Sequence, residues 1–152
     1  MLRLHNLDPS RADVNGQDEG KKDRFDWSRW RNQLFTVLFL IRRESDVTAR
    51  DDTHSTPLHI ASSKAKESAF LVDLLIRHGA DINAQNREGS TPLHVAASSR
   101  LALESTIVRL LLRHGANVDA MDSKGRTPLD VASLEGNSWI AKVLSDYKER
   151  RR

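Results

Sequence analysis

Short stretches with a helical spacing of apolar residues alternate with polar, turn-rich stretches along much of the chain. Val108, Leu111 and Leu112 follow the i, i+3, i+4 spacing that places side chains on one face of a helix. The residues that follow, from 114 to 126, are rich in the turn formers Asn, Asp and Gly. Helices of this kind, with about 8 to 10 residues, are too short to be stable in isolation. The pattern predicts short helices that bury their apolar faces against neighbouring elements.

The same pattern returns in register. Residues 56–61, 91–96 and 127–132 read TPLHIA, TPLHVA and TPLDVA, with spacings of 35 and 36 residues. Residues 74–84, LLIRHGADINA, return as LLLRHGANVDA at 110–120. In each unit, Thr can cap a helix, Pro fits its first position, and Gly tolerates the left-handed backbone at a helix end. The repeat therefore predicts a helix, a second helix and an extended turn in every unit.

These segments resemble the ankyrin repeat, and three copies in register make the resemblance specific. It implies an all-α repeat solenoid, a stack of helix-turn-helix units joined by β-hairpin-like loops. It also implies that His59 and His94 belong to a hydrogen-bond network that steadies neighbouring repeats, with Asp130 replacing His in the last unit. The structural motif positions are Thr56, Pro57, His59, Gly79, Thr91, Pro92, His94, Gly115, Thr127 and Pro128.

The repeat spacing predicts how the chain is organised. We expect a flexible N-terminal segment at 1–23, with a degenerate hairpin remnant at 12–17, and a repeat domain at 24–148. Its units cover about 24–55, 56–90, 91–126 and 127–148, and residues 149–152 form a basic tail. The first unit is degenerate, since Glu44 stands where the helix-ending glycine is expected, and its helices should lie within 24–43. Insertions at 62–68 and 98–105 should form two neighbouring loops on one side of the stack.

Charge and composition exclude several classes of function. The net charge is +3, from 24 basic and 21 acidic residues, and residues 51–126 are neutral, so a broad basic face for nucleic acid is not expected. The chain has no cysteine, which excludes a disulfide scaffold and a thiolate metal site and fits a reducing compartment. The most apolar stretch, Leu34–Ile41, is too short for a bilayer, which needs about 20 residues. We expect a soluble monomer in the cytoplasm, the nucleus or both, with no membrane partner.

The sequence offers no candidate catalytic residue, metal site or cofactor. His59 and His94 occupy the same place in different repeats, which is too far apart to share a metal. His78 and His114 lie beside helix-ending glycines, where a donor or cation suits the terminal carbonyls. A Gly-rich phosphate loop, a nucleophile elbow and a zinc-ligand spacing are all missing from the sequence. The chain is therefore predicted not to be an enzyme.

The resemblance implies a protein-protein interaction module whose ligand contacts the hairpin tips and the first helices. The partner-binding candidates are Arg50, Asp51, Asp52, His54, Gln85, Asn86, Arg87, Glu88, Met121, Asp122, Ser123, Lys124 and Arg126, with Ser62, Ser63, Ser98, Ser99 and Ser133 on the facing first helices. Their mixed charges suit a polypeptide partner that carries charges of both signs. The expected role is an adaptor or inhibitor, and the size resembles stand-alone ankyrin inhibitors of cyclin-dependent kinases or of NF-kappa-B-type transcription factors.

Four features leave alternatives open. Residues 148–152 are either a solvated C-terminus or a basic tail that contacts nucleic acid. Trp30 and Trp139 are either core residues of the end repeats or interface anchors. Asn83 resembles a site of asparaginyl hydroxylation, although a turn-stabilising role is the simpler interpretation. The chain can be a whole protein or a fragment of a longer ankyrin protein.

Overall fold

The computed structural model describes residues 47–63, 68–99 and 105–151. Helices are the regular elements in these ranges, and turns connect them. In chain order the helices are α1 (Pro57–Ser62), α2 (Ser68–Arg77), α3 (Pro92–Ser98), α4 (Ser105–Arg113), α5 (Pro128–Leu134) and α6 (Ser138–Glu149). Within these ranges, no helix has the length and apolar character needed to cross a membrane.

Each first helix begins at the predicted Thr-Pro pair. Thr56, Thr91 and Thr127 have extended backbones and precede a proline at the first helical turn. The backbone N–H of the threonine donates to the side chain three residues later, over 3.1 Å to His59 Nδ1 and His94 Nδ1. This bond satisfies a donor that would otherwise lack a partner, as in a capping box. The predicted helix starts are confirmed.

Helices α2 and α4 end at glycines with a left-handed backbone. Gly79 and Gly115 both have φ near +89°. The N–H of the following alanine reaches back five residues, from Ala80 to Leu75 and from Ala116 to Leu111, at 3.0 Å in both cases. This pattern is a Schellman motif, which satisfies carbonyl groups at a helix end.

The helices form two layers that share one core. Helices α1, α3 and α5 pack side by side in one layer, and α2, α4 and α6 pack side by side in the other. Within each unit, the first helix also packs on the second. Five of the six helices contribute the largest fully buried apolar side chains, which are Leu58, Val72, Leu75, Leu93, Ile107, Val108, Leu111, Ile140 and Leu144. Helix α5 contributes Val131, which is 8% exposed, and the small Ala132. Since no helix here is long enough to be stable alone, the stacked core holds the fold together.

The helix pairs lie inside the predicted units 56–90, 91–126 and 127–148, and α6 continues one residue further, through Glu149. Trp139 is 55% exposed, so core packing does not explain this tryptophan. The predicted helices at 24–43, with Trp30, and the hairpin remnant at 12–17 lie outside the described residues. The inner parts of the two predicted insertions, 64–67 and 100–104, also lie outside them.

Candidate functional site

Three tight turns form the tips between the helix pairs. They comprise residues 51–54, 86–89 and 122–125, and each is closed by a bond from the N–H of its last residue to the C=O of its first, over 2.8 to 2.9 Å. The last residue of each turn has a positive φ, which is +59° at His54, +70° at Gly89 and +71° at Gly125. The tips therefore share one backbone geometry.

The first residue of each tip uses its side chain to hold the turn. The Oδ1 atoms of Asp51, Asn86 and Asp122 each accept two backbone N–H groups, from the residues two and four positions ahead, over 2.8 to 3.0 Å. Such Asx bonds replace the missing backbone partners of a turn. The side chains of these three residues thus have a structural role at the tips.

Asp122 is buried and only 7% exposed, so its prediction as an exposed tip residue is wrong. Two N–H groups of the Arg126 guanidinium donate to its Oδ2, over 2.8 Å from Nε and 2.6 Å from Nη2. Burial alone would raise the pKa of Asp122, but hydrogen bonds from the Arg126 side chain and from the backbone of Arg126 and Lys124 outweigh it and lower the pKa to about 2. Changing Arg126 would leave a buried carboxylate unpaired, so it would disturb the fold as well as any contact.

Adjacent tips are joined directly to one another. The N–H of Arg87 donates to Thr53 O, and the N–H of Ser123 donates to Glu88 O, each over 2.9 Å. Side chains add a parallel connection, since Arg50 Nη1 donates to Gln85 O over 2.7 Å and Gln85 Nε2 donates to Met121 O over 3.2 Å. The three tips therefore form one continuous row, which we call the tip row (residues 50–55, 85–90 and 121–126).

Buried histidines connect the first helices to the tip row. The backbone N–H of the capping threonine donates to Nδ1 of His59 and of His94, so the proton lies on Nε2. That Nε2–H then donates over 2.9 Å to Ser90 O from His59 and to Arg126 O from His94. Burial, the largest cause, lowers the pKa of both histidines below the ordinary 6.5, against the opposing effect of those carbonyl bonds. The predicted network between repeats is confirmed.

A family model of ankyrin repeats, comprising three copies, matches residues 28–103 and 65–150, which together make up more than half of the chain. The chain belongs to the ankyrin-repeat family. The predicted all-α repeat stack is thereby confirmed. A search of curated proteins finds none that matches the chain.

Ankyrin-repeat proteins are generally non-catalytic binding modules, and this ankyrin stack is a protein-protein interaction module. In the three described ranges, no group of His, Asp or Glu residues is arranged to hold a metal ion.

Most of the predicted partner-binding residues lie exposed on the tip row. The exposed ones are Arg50, Asp52, His54, Gln85, Arg87, Glu88, Met121, Ser123 and Lys124. Asp51, Asn86 and Arg126 are half-buried, in keeping with their turn-holding or ion-pairing roles. Thr53 is also exposed on the row and was not among the candidates, although the alignment of residues 51–55 with 86–90 places it at the position of Glu88.

The first-helix serines differ in exposure, and Ser99 is half-buried, with its carbonyl accepting Asn137 Nδ2 over 2.7 Å. Ser62 is fully buried and its Oγ donates to Leu58 O over 2.7 Å, so its prediction as a surface position is wrong. Ser63, Ser98 and Ser133 are exposed, and the Oγ of each donates to a carbonyl of its own helix.

Asn83 connects two successive repeats. Its Oδ1 accepts the backbone N–H of Asn117 over 2.8 Å, while its own N–H donates to Asp81 Oδ1 over 2.9 Å. These bonds support a turn-stabilising role for this exposed asparagine, and its hydroxylation stays a prediction.

His114 was expected at helix-terminal carbonyls, but its Nε2 lies 3.3 Å from Oδ1 of Asp73 in the preceding repeat.

His54 occupies a backbone conformation that suits glycine. Its φ of +59° matches that of Gly89 and Gly125 at the same place in the other tips. A non-glycine residue there costs about 1 to 2 kcal/mol, which exceeds the entropy that glycine loses on folding, about 0.5 to 1 kcal/mol. We expect His54→Gly to raise the free energy of unfolding by about 0.5 to 1 kcal/mol in urea titrations.

A matched control lies in the same turn. Asp52→Gly adds the same flexibility to the unfolded chain at a position without a left-handed backbone, so it should leave stability unchanged or lower it. A lower urea midpoint for His54→Gly would contradict the strain argument.

Proposed function

We propose that this ankyrin protein is a non-catalytic adaptor or inhibitor that covers part of a partner protein with its tip row. The observation that supports this most directly is the continuity of the row. Backbone and side-chain bonds hold neighbouring tips together, so their exposed side chains are presented in a defined order. A pre-organised surface loses less conformational entropy on binding than separate flexible loops do.

The charges of the tip row indicate the kind of partner. Among the described residues, no side chain pairs with the charged groups of Asp52, Arg87, Glu88 or Lys124. These charges of both signs share the tip row with Met121, a large apolar side chain that is 61% exposed. Electrostatic complementarity would therefore select a polypeptide surface that carries both signs together with an apolar contact.

The narrower form of the proposal is a stand-alone inhibitor of a kinase or of an NF-kappa-B-type transcription factor. We further propose that the protein acts as a monomer in the cytoplasm or nucleus. Its lack of cysteine fits a reducing compartment.

The test is an affinity purification that compares charge reversals on and off the tip row. Arg87→Glu and Lys124→Glu, alone and together, should reduce the recovery of the specific partner by about tenfold or more, because a cation that faces an acidic group becomes repulsive. Lys142→Glu is the matched control, since Lys142 is an exposed cation on α6 rather than on a tip. Quantitative mass spectrometry of the captured proteins measures the change.

Equal recovery with wild type and with the double tip variant would refute the tip row as the contact surface.

A nucleic-acid-associated role predicts a different result, in which binding weakens steeply with salt and is lost when residues 148–152 are removed. Two cations of this segment already have contacts in the structure. Lys148 Nζ lies 2.5 Å from Asp119 Oδ1, and the Arg151 guanidinium lies 5.7 Å from the centre of the Tyr147 ring.

A further inference from the structure

A groove lies between α4 and α6, on the layer formed by the second helices. Its volume is about 320 Å³. Leu112, Val143 and the ring of Tyr147 form an apolar floor, and Arg109, Arg113 and Arg150 line its edges. None of these residues belongs to the tip row, so the groove is a separate surface.

The floor of the groove is held in place by the fold. Leu112 is almost fully buried, at 3% exposure. The Tyr147 hydroxyl donates to Leu112 O over 3.0 Å, which fixes the ring against α4. The Arg151 guanidinium lies beside the same ring at 5.7 Å from its centre, adding a further cation near the groove. The apolar floor is thus pre-formed before any ligand binds.

The three edge arginines have no acidic partner among the described residues. In contrast, Arg77 pairs with Asp73, Arg126 with Asp122 and Lys148 with Asp119. Arg109 and Arg113 are both exposed and are four residues apart on α4, where like charges repel each other. This arrangement works slightly against stability, and an anionic ligand would relieve the repulsion.

We propose that this groove binds an acidic linear peptide of a partner protein, with an apolar side chain seated on the floor and carboxylates paired to the arginines. The guanidinium group suits this role, because its planar array of donors matches the geometry of a carboxylate. The occupant is a peptide rather than a nucleic acid because Asp146 also lines the groove and repels a continuous polyanion.

The test uses the full chain and a fluorescein-labelled peptide with Leu-Phe at its centre and glutamates on both sides. Fluorescence anisotropy at low salt measures the affinity of the protein for this peptide. We expect saturable binding that weakens by about tenfold or more in the variant carrying Arg109→Glu and Arg113→Glu. Asp146→Asn should tighten binding by about twofold to threefold, because it removes the carboxylate of the groove. Arg87→Glu on the tip row is the matched control and should leave the affinity within about twofold.

Several results would overturn the proposal. The first is equal affinity in the arginine variant. The second is equal affinity for a peptide with Gly-Ser in place of Leu-Phe, which would show attraction by charge alone. The third is equal or tighter binding of a single-stranded DNA oligonucleotide of the same net charge. Circular dichroism checks the fold of each variant, and Arg150→Glu, at the exposed end of α6, replaces the double variant if that variant is unfolded. Because the tip row is intact in every groove variant, failure here leaves the proposed function standing.

Discussion

Replacing His94 with alanine should lower the free energy of unfolding by about 3 kcal/mol. The imidazole is only 2% exposed and connects the N–H of Thr91 to the carbonyl of Arg126 in the next repeat. Alanine leaves both backbone groups without that partner and creates a cavity. Because repeats are stabilised by their neighbours, the loss falls on the coupling between the repeat that begins at Thr91 and the next one. Urea titration followed by circular dichroism measures it.

His94→Asn separates the two bonds. Its side-chain oxygen can accept the N–H of Thr91, as Asp130 Oδ2 does for Thr127 over 2.8 Å, but it cannot reach the next repeat. We expect His94→Asn to lower the free energy of unfolding by less than His94→Ala does. Equal losses in both variants would show that the cap bond contributes nothing, and no loss in either would contradict the network.

The pH dependence provides a second measurement of the same network. Burial lowers the folded-state pKa of His59 and His94 below 6.5, so the unfolded chain binds protons first as the pH falls. The contribution of the two uncharged histidines to the free energy of unfolding is complete above about pH 6.5. It is lost as the pH falls from there through the lowered folded-state pKa. His94→Asn removes one of these two histidines and should reduce this slope without abolishing it.

Gly89→Ala should destabilise the stack by about 2 to 3 kcal/mol. The backbone has φ +70°, and a Cβ at this position would lie 2.7 Å from the backbone N of Ser123, closer than real contacts allow. The substitution therefore combines the strain of a left-handed backbone with displacement of the bond from Ser123 N to Glu88 O. Urea midpoints measure the loss.

Gly125→Ala is the matched control for this effect. Gly125 has nearly the same φ, +71°, but no atom of a described residue lies within 4 Å of a Cβ placed there. Gly125→Ala should lower the free energy of unfolding by about 1 kcal/mol, the cost of a left-handed backbone for a non-glycine residue. If the two alanine variants lost equal stability, the close approach of neighbouring tips would not matter energetically. A crystal structure of Gly89→Ala should show the 122–125 turn shifted away from residue 89.

The sequence alone was enough for the features that local chemistry determines. The Thr-Pro pairs marked the starts of α1, α3 and α5, since a cap and a proline act within one turn of a helix. The glycines at 79 and 115 marked the ends of α2 and α4 for a similarly local reason. The alignment of the tips also places His54 at the position of Gly89 and Gly125, which indicates its left-handed backbone.

Only the tertiary structure decided which tip side chains are free. Asp122 and Glu88 are both acidic residues of the polar tips, yet Asp122 is buried against Arg126 and Glu88 is exposed. Asp122 is the first residue of its turn, where Oδ1 accepts two backbone N–H groups and Oδ2 pairs with Arg126, whereas Glu88 is the third residue of its turn. The groove was likewise hidden in the sequence, because Arg109 and Arg150 are 41 positions apart and meet only when α6 packs on α4. Periodic spacing reveals which residues share a helix face, whereas the contacts between faces depend on how successive repeats are oriented.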